Sequence, residues 1–307
     1  MVRLGLCCLF IDQPIKFRTT TATYIGKLPR AQQLARLSAL CLANARALFA
    51  AIIFCGANKI GCFRVNSRLW PLKTHPEAGY KIADLPEVKE IKAVLSQCRQ
   101  KAAELDVRLT FHPDQFVLLS SPRADVVAGS VQELDYQAEV ASMIGADVIN
   151  IHAGGGYGDK AAALKRMGKV LRRLKIPVRS RLTIENDDRT YSPADLLPFC
   201  RANGIPMVYD AHHHRCLPDG LSVQQATAEA IQTWDREPLF HISSPRSGWG
   251  AKQPGWHHDY IDKKDFPVEW RSLDVTVEVE AKAKELAVLR LRKDLSVVTP
   301  FRRHKAI

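Results

Sequence analysis

The chain has 307 residues, of which 46% are hydrophobic and 25% are charged, which is enough apolar sequence for a large core and excludes a wholly disordered chain. No apolar run reaches the roughly 18 residues that a membrane span needs, so we expect a cytoplasmic protein with no membrane contact. Lys and Arg outnumber Asp and Glu by 44 to 32, and this net charge of +12 favours a polyanionic partner.

Eight predicted strands alternate with predicted helices along the chain. The strands are short apolar runs rich in Val, Ile, Leu and Phe, as expected where helices cover both faces of a sheet. They span residues 4–10, 62–66, 108–112, 148–152, 182–185, 207–210, 239–243 and 275–280. The helices span residues 31–57, 85–105, 131–144, 160–174, 193–203, 222–234 and 281–295.

Capping signals support two of these helices. Ser192 is a predicted N-cap, with Pro193 at the first helical position and Asp195 in the first turn. Ser222 is the second predicted cap, and Gly204 is a predicted helix stop. The alternation as a whole predicts an α/β fold with a parallel sheet, either a closed TIM (β/α)₈ barrel or an open doubly wound sheet.

We predict one TIM-barrel domain over residues 1–295 and a basic C-terminal tail over residues 296–307. Residues 244–274 lack a regular pattern and are rich in Gly, Pro, Trp and His, which indicates a functional loop after the seventh strand. The eight cysteines include no CxxC pair, so we interpret them as small buried hydrophobes and not as a zinc site.

Metal-capable side chains stand at the ends of the last six predicted strands. In a closed barrel all strands open onto one face at their C-terminal ends, so these side chains converge. An open sheet, at about 4.8 Å per strand, would spread them over on the order of 20 Å. We therefore favour the barrel, with a metal site at its C-terminal mouth. The residues are His112, His152, Glu185, Asp210, His241 and Glu280.

Any one of these residues is as readily explained as a core histidine or an isolated acid. Six together are costly to bury unless metal ions or mutual pairing compensate. A mixture of imidazole and carboxylate suits Mn²⁺, Zn²⁺ or Fe²⁺. So many candidate ligands predict more than one ion, and paired ions suit in-line displacement at phosphorus.

Five ordered segments carry a family resemblance: FHPDQF at 111–116, INIHAGG at 149–155, TIEND at 183–187, DAHHH at 210–214 and EVEAKAKE at 278–285. Each is weak alone, but together, over about residues 2–295, the chain resembles the UV damage endonucleases. The resemblance implies a TIM barrel and a cluster of two or three Mn²⁺ ions. It also implies incision of double-stranded damaged DNA immediately 5′ of a pyrimidine dimer or photoproduct, with no obligate protein partner.

The resemblance further implies roles for individual residues. Gln115 and Phe116 match a Gln-Tyr pair that probes the damaged duplex, although Phe116 has the alternative of packing in the barrel mouth. His257 matches a ligand position in the loop after the seventh strand, with His258 as the alternative. His75 resembles a further site histidine. Glu185, His241 and Glu280 are also implied to be catalytic. The implied metal ligands are His112, His152, Glu185, Asp210, His213, His241, His257 and Glu280.

Three positions depart from the family pattern. Leu239 stands where many relatives carry a lysine that is modified to a carbamate ligand, which puts such a ligand in doubt here. Phe116 replaces the usual tyrosine, so the ring is kept and the hydroxyl is lost. Leu6 and Phe10 stand near positions where relatives often have Tyr and Asn, so we expect different substrate contacts from the first strand.

The hypothesis is that one ion lowers the pKa of a water, which attacks phosphorus in line, while the others neutralise the phosphate and the leaving oxygen. Three alternatives stand beside it. One is an abasic-site endonuclease of the same barrel superfamily. Another is a metal-dependent sugar isomerase, which the charge of +12 and the Gln115-Phe116 pair disfavour. The third is a basic DNA-binding scaffold with structural histidines. The basic loop residues available for phosphates are Lys16, Arg18, Arg246 and Lys252.

Overall fold

Eight short parallel strands close into a barrel in chain order, and the first strand pairs with both the second and the last. This closed barrel confirms the predicted TIM fold. The computed structural model describes residues 2–295, so the predicted tail lies outside the described residues. The strands are β1 (Arg3–Cys7), β2 (Cys62–Val65), β3 (Arg108–Phe111), β4 (Val148–His152), β5 (Leu182–Glu185), β6 (Met207–Asp210), β7 (Leu239–Ile242) and β8 (Thr276–Val279).

Helices connect the strands and cover the outside of the barrel. Those in the described part of the chain are α1 (Ala22–Ile25), α2 (Arg30–Ala57), α3 (Val88–Glu104), α4 (Ala124–Ile144), α5 (Lys160–Leu171), α6 (Ile176–Arg179), α7 (Pro193–Asn203), α8 (Ala211–Cys216), α9 (Val223–Ile231) and α10 (Lys284–Leu295). The predicted capping signals are confirmed. Ser192 and Asp195 form a capping box on α7, Ser222 caps α9, and Gly204 ends α7 with a left-handed φ of 59°.

Element boundaries differ from the prediction where no capping residue marks them. α4 begins at Ala124 instead of residue 131, because its N-cap Arg123 makes no side-chain cap and leaves no start signal. β1 ends at Cys7 instead of residue 10, because Cys8 adopts a φ of 63° and turns the chain out of the strand. The predicted helix over residues 160–174 ends at Leu171, and α6 follows it.

One helix in the described chain, α2, is long and apolar enough to cross a membrane by length and composition alone. It packs instead against α3 and β2, and its Leu48 and Ile52 are fully buried in the protein core. We therefore interpret α2 as a core helix of the barrel.

The interior of the barrel changes from apolar to polar towards the C-terminal strand ends. Every second residue of a strand lies on the same face, so Val148, Asn150 and His152 form successive levels on β4. At the lowest level Val148 packs with Val208 and Leu239 in a small apolar cluster that is separate from the main core. A polar level that includes Asn150 therefore lies between this apolar cluster and the residues at the strand ends.

The segment after β7 folds back over the strand ends. Pro245 and His257 form an isolated antiparallel bridge, which brings the far part of the segment close to β7. Further on, a 3₁₀ turn at Val268–Ser272 buries Trp270 against Phe240, with ring centroids 5.0 Å apart. The remainder is largely irregular, as predicted for residues 244–274.

Candidate metal centre

Side chains from the ends of six successive strands converge at one end of the barrel. They form three groups, and within each group the candidate ligand atoms all lie within 4.8 Å of one another. Because His112 belongs to two groups and Glu185 belongs to two groups, the groups adjoin. They contain seven of the eight predicted ligands: His112, His152 and Glu185; His112, His241 and Glu280; and Glu185, Asp210 and His213.

Glu185 lies at the centre of these groups and is fully buried. Its Oε2 is 3.0 Å from His112 Nε2 and accepts a 2.5 Å hydrogen bond from Asn150 Nδ2. Its Oε1 is 3.0 Å from His241 Nδ1. Burial alone raises the pKa of this carboxyl, but the positive charge of His241 and the hydrogen bonds from His112 and His213 outweigh burial and hold the pKa well below its ordinary value. The carboxylate is therefore ionised and available to a cation.

The last residue of β6 is both a helix cap and a candidate ligand. Asp210 caps α8, and its Oδ1 accepts hydrogen bonds from the backbone N–H groups of His212 and His213 at 2.6 and 2.9 Å. The cap fixes the carboxylate and starts the helical turn that carries His213 into the site. The second oxygen, Oδ2, is buried and has no hydrogen-bond partner among the described residues. A cation bound there would satisfy it.

Two charged residues that were not predicted, Arg64 and Glu278, also face this site. Arg64 Nε donates a 2.5 Å hydrogen bond to Glu278 Oε2, and its Nη1 lies 2.5 Å from Glu280 Oε1. Burial alone raises the pKa of Glu278, but Arg64 and the hydrogen bond from His241 lower it to about 2. The alternation of strand residues could have indicated that both side chains point into the barrel. Arg64 lies on the same face of its strand as Cys62, and Glu278 lies on the same face as Glu280.

His241 is fully buried between two of these carboxylates. Its Nδ1 is 3.0 Å from Glu185 Oε1, and its Nε2 is 3.0 Å from Glu278 Oε2. Burial alone lowers the pKa of the imidazole, but Glu185 and the hydrogen bonds to both carboxylates raise it to about 10. The metal-free site therefore holds a proton that an ion bound at this ring would displace.

The donor set fits divalent ions. Each of the three groups combines imidazole nitrogens with carboxylate oxygens, the mixture that suits Mn²⁺, Zn²⁺ or Fe²⁺. His152 Nδ1, like Asp210 Oδ2, is buried without a hydrogen-bond partner in the described part of the chain. Burial lowers the pKa of His152, so its ring is held in the neutral form that binds metal.

Of the two loop histidines, the structure brings His257 to the site. Its Nδ1 lies 3.7 Å from Glu280 Oε2, and its ring centroid is 6.3 Å from that of His213. His258 is exposed, and its Nδ1 accepts a 3.0 Å hydrogen bond from the backbone N–H of Tyr260. The alternative ligand His258 therefore has a local partner and is turned towards solvent.

His75 belongs to none of the three ligand groups found among residues 2–295. Its Nδ1 accepts hydrogen bonds from the backbone N–H groups of Glu77 and Ala78, both at 3.2 Å. The imidazole thus caps the turn that follows β2. This turn gives the histidine a structural partner within its own segment.

The two predicted probing residues lie on the turn after β3, close in sequence to His112. Gln115 is exposed, and Phe116 is 72% exposed. The alternative that Phe116 packs in the barrel mouth is therefore wrong. Leu239 is fully buried in the apolar cluster with Val148 and Val208, so an aliphatic side chain fills the position where the resemblance implied a lysine.

A family model described as UV-endonuclease UvdE matches residues 2–305. The UV DNA damage endonuclease of Bacillus velezensis is 32% identical over 309 residues, covering 96% of this chain and 93% of the relative. That of Deinococcus radiodurans is 33% identical, covering 98% and 97%. The crystal structure of SacUVDE superposes with a TM-score of 0.85 at 27% identity, covering 96% of this chain and 98% of that chain. The similarity thus extends over almost the whole chain.

Proposed function

Because the chain belongs to the UV-endonuclease UvdE family and is accordingly a DNA repair endonuclease, we propose that it nicks double-stranded DNA immediately 5′ of UV lesions, using a metal-activated water. Pyrimidine dimers and photoproducts are the proposed lesions, and the cytoplasm is the proposed location. The observation that carries the proposal is the set of three adjoining ligand groups at the ends of β3 to β8.

Two or three divalent ions, with Mn²⁺ as the proposed metal, fit this donor set. When bound, such ions supply acidity to a water and positive charge to the phosphate and the leaving oxygen. The proposed catalytic residues are Glu185, His241 and Glu280. The residues that would hold the ions are His112, His152, Glu185, Asp210, His213, His241, His257 and Glu280.

Hydrogen bonds and an ion pair within the protein orient these candidate ligands. Asn150 orients the Glu185 carboxylate through its 2.5 Å hydrogen bond, and Thr183 Oγ1 in turn donates to Asn150 Oδ1 at 3.0 Å. Backbone amides hold one oxygen of Asp210, and the other, 3.6 Å from His213 Nδ1, has no hydrogen-bond partner among the described residues. Arg64 neutralises charge beside Glu280. Such prior orientation means that little reorganisation is needed when the scissile phosphate arrives.

A plasmid assay tests the proposal. With added Mn²⁺, the protein should convert irradiated supercoiled plasmid to the open circle, and excess chelator should abolish the conversion because the nucleophilic water needs an ion. Unirradiated plasmid is the control. An end-labelled duplex with one defined pyrimidine dimer then reports the position of the nick. Nicking that is insensitive to chelator, or equal on both plasmids, would contradict the proposal.

The same duplex separates the proposed activity from those of other metal barrels. A matched oligonucleotide with one abasic site in place of the dimer should be cut less well. Preferential cutting of the abasic site would instead favour an abasic-site endonuclease. The net charge of +12 favours a polyanionic substrate such as DNA over the small substrate of a sugar isomerase.

Replacing Phe116 with alanine should lower kcat/KM on the single-lesion duplex by about tenfold to a hundredfold. Stacking of a base on an aromatic ring is worth about 1–3 kcal/mol, and this ring is exposed and free to stack. Phe116→Tyr is the matched control, because it keeps the ring and should retain nearly full activity. Equal kcat/KM for Phe116→Ala and the wild type would remove Phe116 from the proposed probing pair.

A further inference from the structure

A buried carboxylate at the start of α10 holds the loop that follows β1. Glu285 is fully buried, and its Oε1 accepts hydrogen bonds from the backbone N–H groups of Ile11 and Asp12 at 3.1 and 2.6 Å. Its Oε2 also lies 3.0 Å from Ile11 N. These contacts join residues that are more than 270 positions apart in the chain. A buried carboxylate bonded to two consecutive amides fixes the path of their backbone.

The loop held in this way presents apolar side chains to solvent. Leu9 and Ile11 are 43% and 60% exposed. Phe10 between them points inward and packs on Phe54 and Phe63, with ring centroids 5.3 and 5.9 Å apart. The hydrogen bonds from Glu285, called the clamp below, and the inward packing of Phe10 therefore keep the side chains of Leu9 and Ile11 on the outside of the loop.

A second clamp holds the far part of the same loop. Asn44 on α2 accepts a 2.7 Å hydrogen bond from the backbone N–H of Arg18 and donates a 2.9 Å bond to its carbonyl oxygen. Asn44 is fully buried. The loop is thus fixed near both of its ends, and its exposed apolar residues stand on an ordered backbone.

This loop begins beside the candidate metal centre. The backbone N–H of Cys8 donates a 3.0 Å hydrogen bond to the carbonyl oxygen of Arg64, the residue that contacts Glu280. A cavity of about 670 Å³ lies at this junction. It is lined by Cys8, Arg64 and Glu280 together with the basic Arg246, Lys282 and Lys284. Leu9 follows the lining residue Cys8 in the chain, and Ile11 is bonded to Glu285, which follows the lining residue Lys284. A cationic cavity and a loop with exposed aliphatic side chains at the same end of the barrel match DNA that offers phosphates and unstacked base faces.

Building on the nuclease function proposed above, we propose that Leu9 and Ile11 contact the faces of unstacked bases beside the metal centre, and that Glu285 is the residue that positions them. Aliphatic side chains inserted at a base step stabilise bases that have left the stack. Undamaged duplex keeps its bases stacked and offers only phosphates to this surface. The loop therefore contributes to discrimination between damaged and intact DNA.

Binding measurements on the metal-loaded protein test this inference. Fluorescence anisotropy is recorded for a duplex with one pyrimidine dimer and an uncleavable phosphate analogue 5′ of it, and for the same duplex without the dimer. Ile11→Ser should weaken binding of the damaged duplex by about tenfold, from the lost apolar contact, and leave the intact duplex within about twofold. Ile176→Ser is the matched control, because Ile176 is an isoleucine with 82% exposure on α6, outside the site. Equal weakening on both duplexes, or no weakening, overturns the proposal.

The positioning role needs a separate readout. Glu285→Gln should speed hydrogen exchange at the Ile11 and Asp12 amides and raise KM for the damaged duplex more than it lowers kcat. If this variant does not fold, Ile11→Ser still decides the surface proposal, because its side chain is exposed. Unchanged exchange in a folded Glu285→Gln overturns the clamp. If the wild type does not nick damaged DNA, only the nuclease proposal is contradicted, because the binding comparison does not depend on cleavage.

Discussion

Replacing Glu185 with glutamine should reduce nicking of irradiated DNA by about a thousandfold or more. This carboxylate belongs to two of the three ligand groups and contacts both His112 and His241. The amide removes the negative charge on which both groups depend. Several kcal/mol of transition-state stabilisation from the ions would be lost, and each 1.36 kcal/mol is a factor of ten in rate.

The change should leave the fold and duplex binding largely intact, because glutamine keeps the shape and Asn150 still has an acceptor oxygen. Single-turnover nicking, circular dichroism and metal content by mass spectrometry measure the three properties separately. Glu229→Gln on α9 is the matched control and should nick normally, because Glu229 is half-buried, pairs with Arg201 on α7 and belongs to none of the three ligand groups. Nicking by Glu185→Gln at more than a tenth of the wild-type rate would remove Glu185 from the proposed catalytic set.

Replacing Arg64 with methionine should destabilise the metal-free protein by about 3–5 kcal/mol. Arg64 is buried between Glu278 and Glu280, so its loss leaves two buried carboxylates close together with only His241 as a cationic neighbour among the residues described above. Breaking a buried ion pair from one side carries a cost of this size, because the remaining charge is not solvated. Urea unfolding in the presence of chelator measures the free energy.

A double variant separates this cause from lost packing. Arg64→Met combined with Glu278→Met should be more stable than Arg64→Met alone, since the unpaired carboxylate is also gone. Arg123→Met is the control, because Arg123 forms an exposed ion pair with Asp125 whose loss should not be measurable. If Arg64→Met and the double variant lose equal stability, the charge on Glu278 is not the cause.

The barrel and most of the candidate metal centre could be predicted because both follow from local patterns. Each apolar run that ends in His152, Glu185 or Asp210 places a polar group at a strand end, and closure of the sheet brings strand ends together. The cap at Ser192 was equally local, since all its partners lie within one helical turn. Signals of this kind need no knowledge of distant contacts.

Residues whose partners lie across the barrel could not be predicted in the same way. Arg64 and Glu278 are 214 positions apart, and alternation alone says that each points inward without saying that they meet. Glu285 was part of a motif, yet its partners are backbone amides near the N-terminus, which leave no trace in side-chain chemistry. The start of α4 at Ala124 was not predicted because the side chain of Arg123 does not cap the helix.

The pairing of the first strand with the last has a consequence for how the chain reaches its native state. Arg3 to Leu6 align with Thr276 to Val279, so the sheet stays open until β8 has been synthesised. Until then β1 and β7 each expose an unpaired edge, the feature through which strands associate with other chains. A ribosome-bound or truncated chain that ends before β8 should therefore depend on chaperones. A circular permutant that connects α10 to β1 and opens the chain between two other strands should pair β8 with β1 early and leave the late closing contact at the new ends.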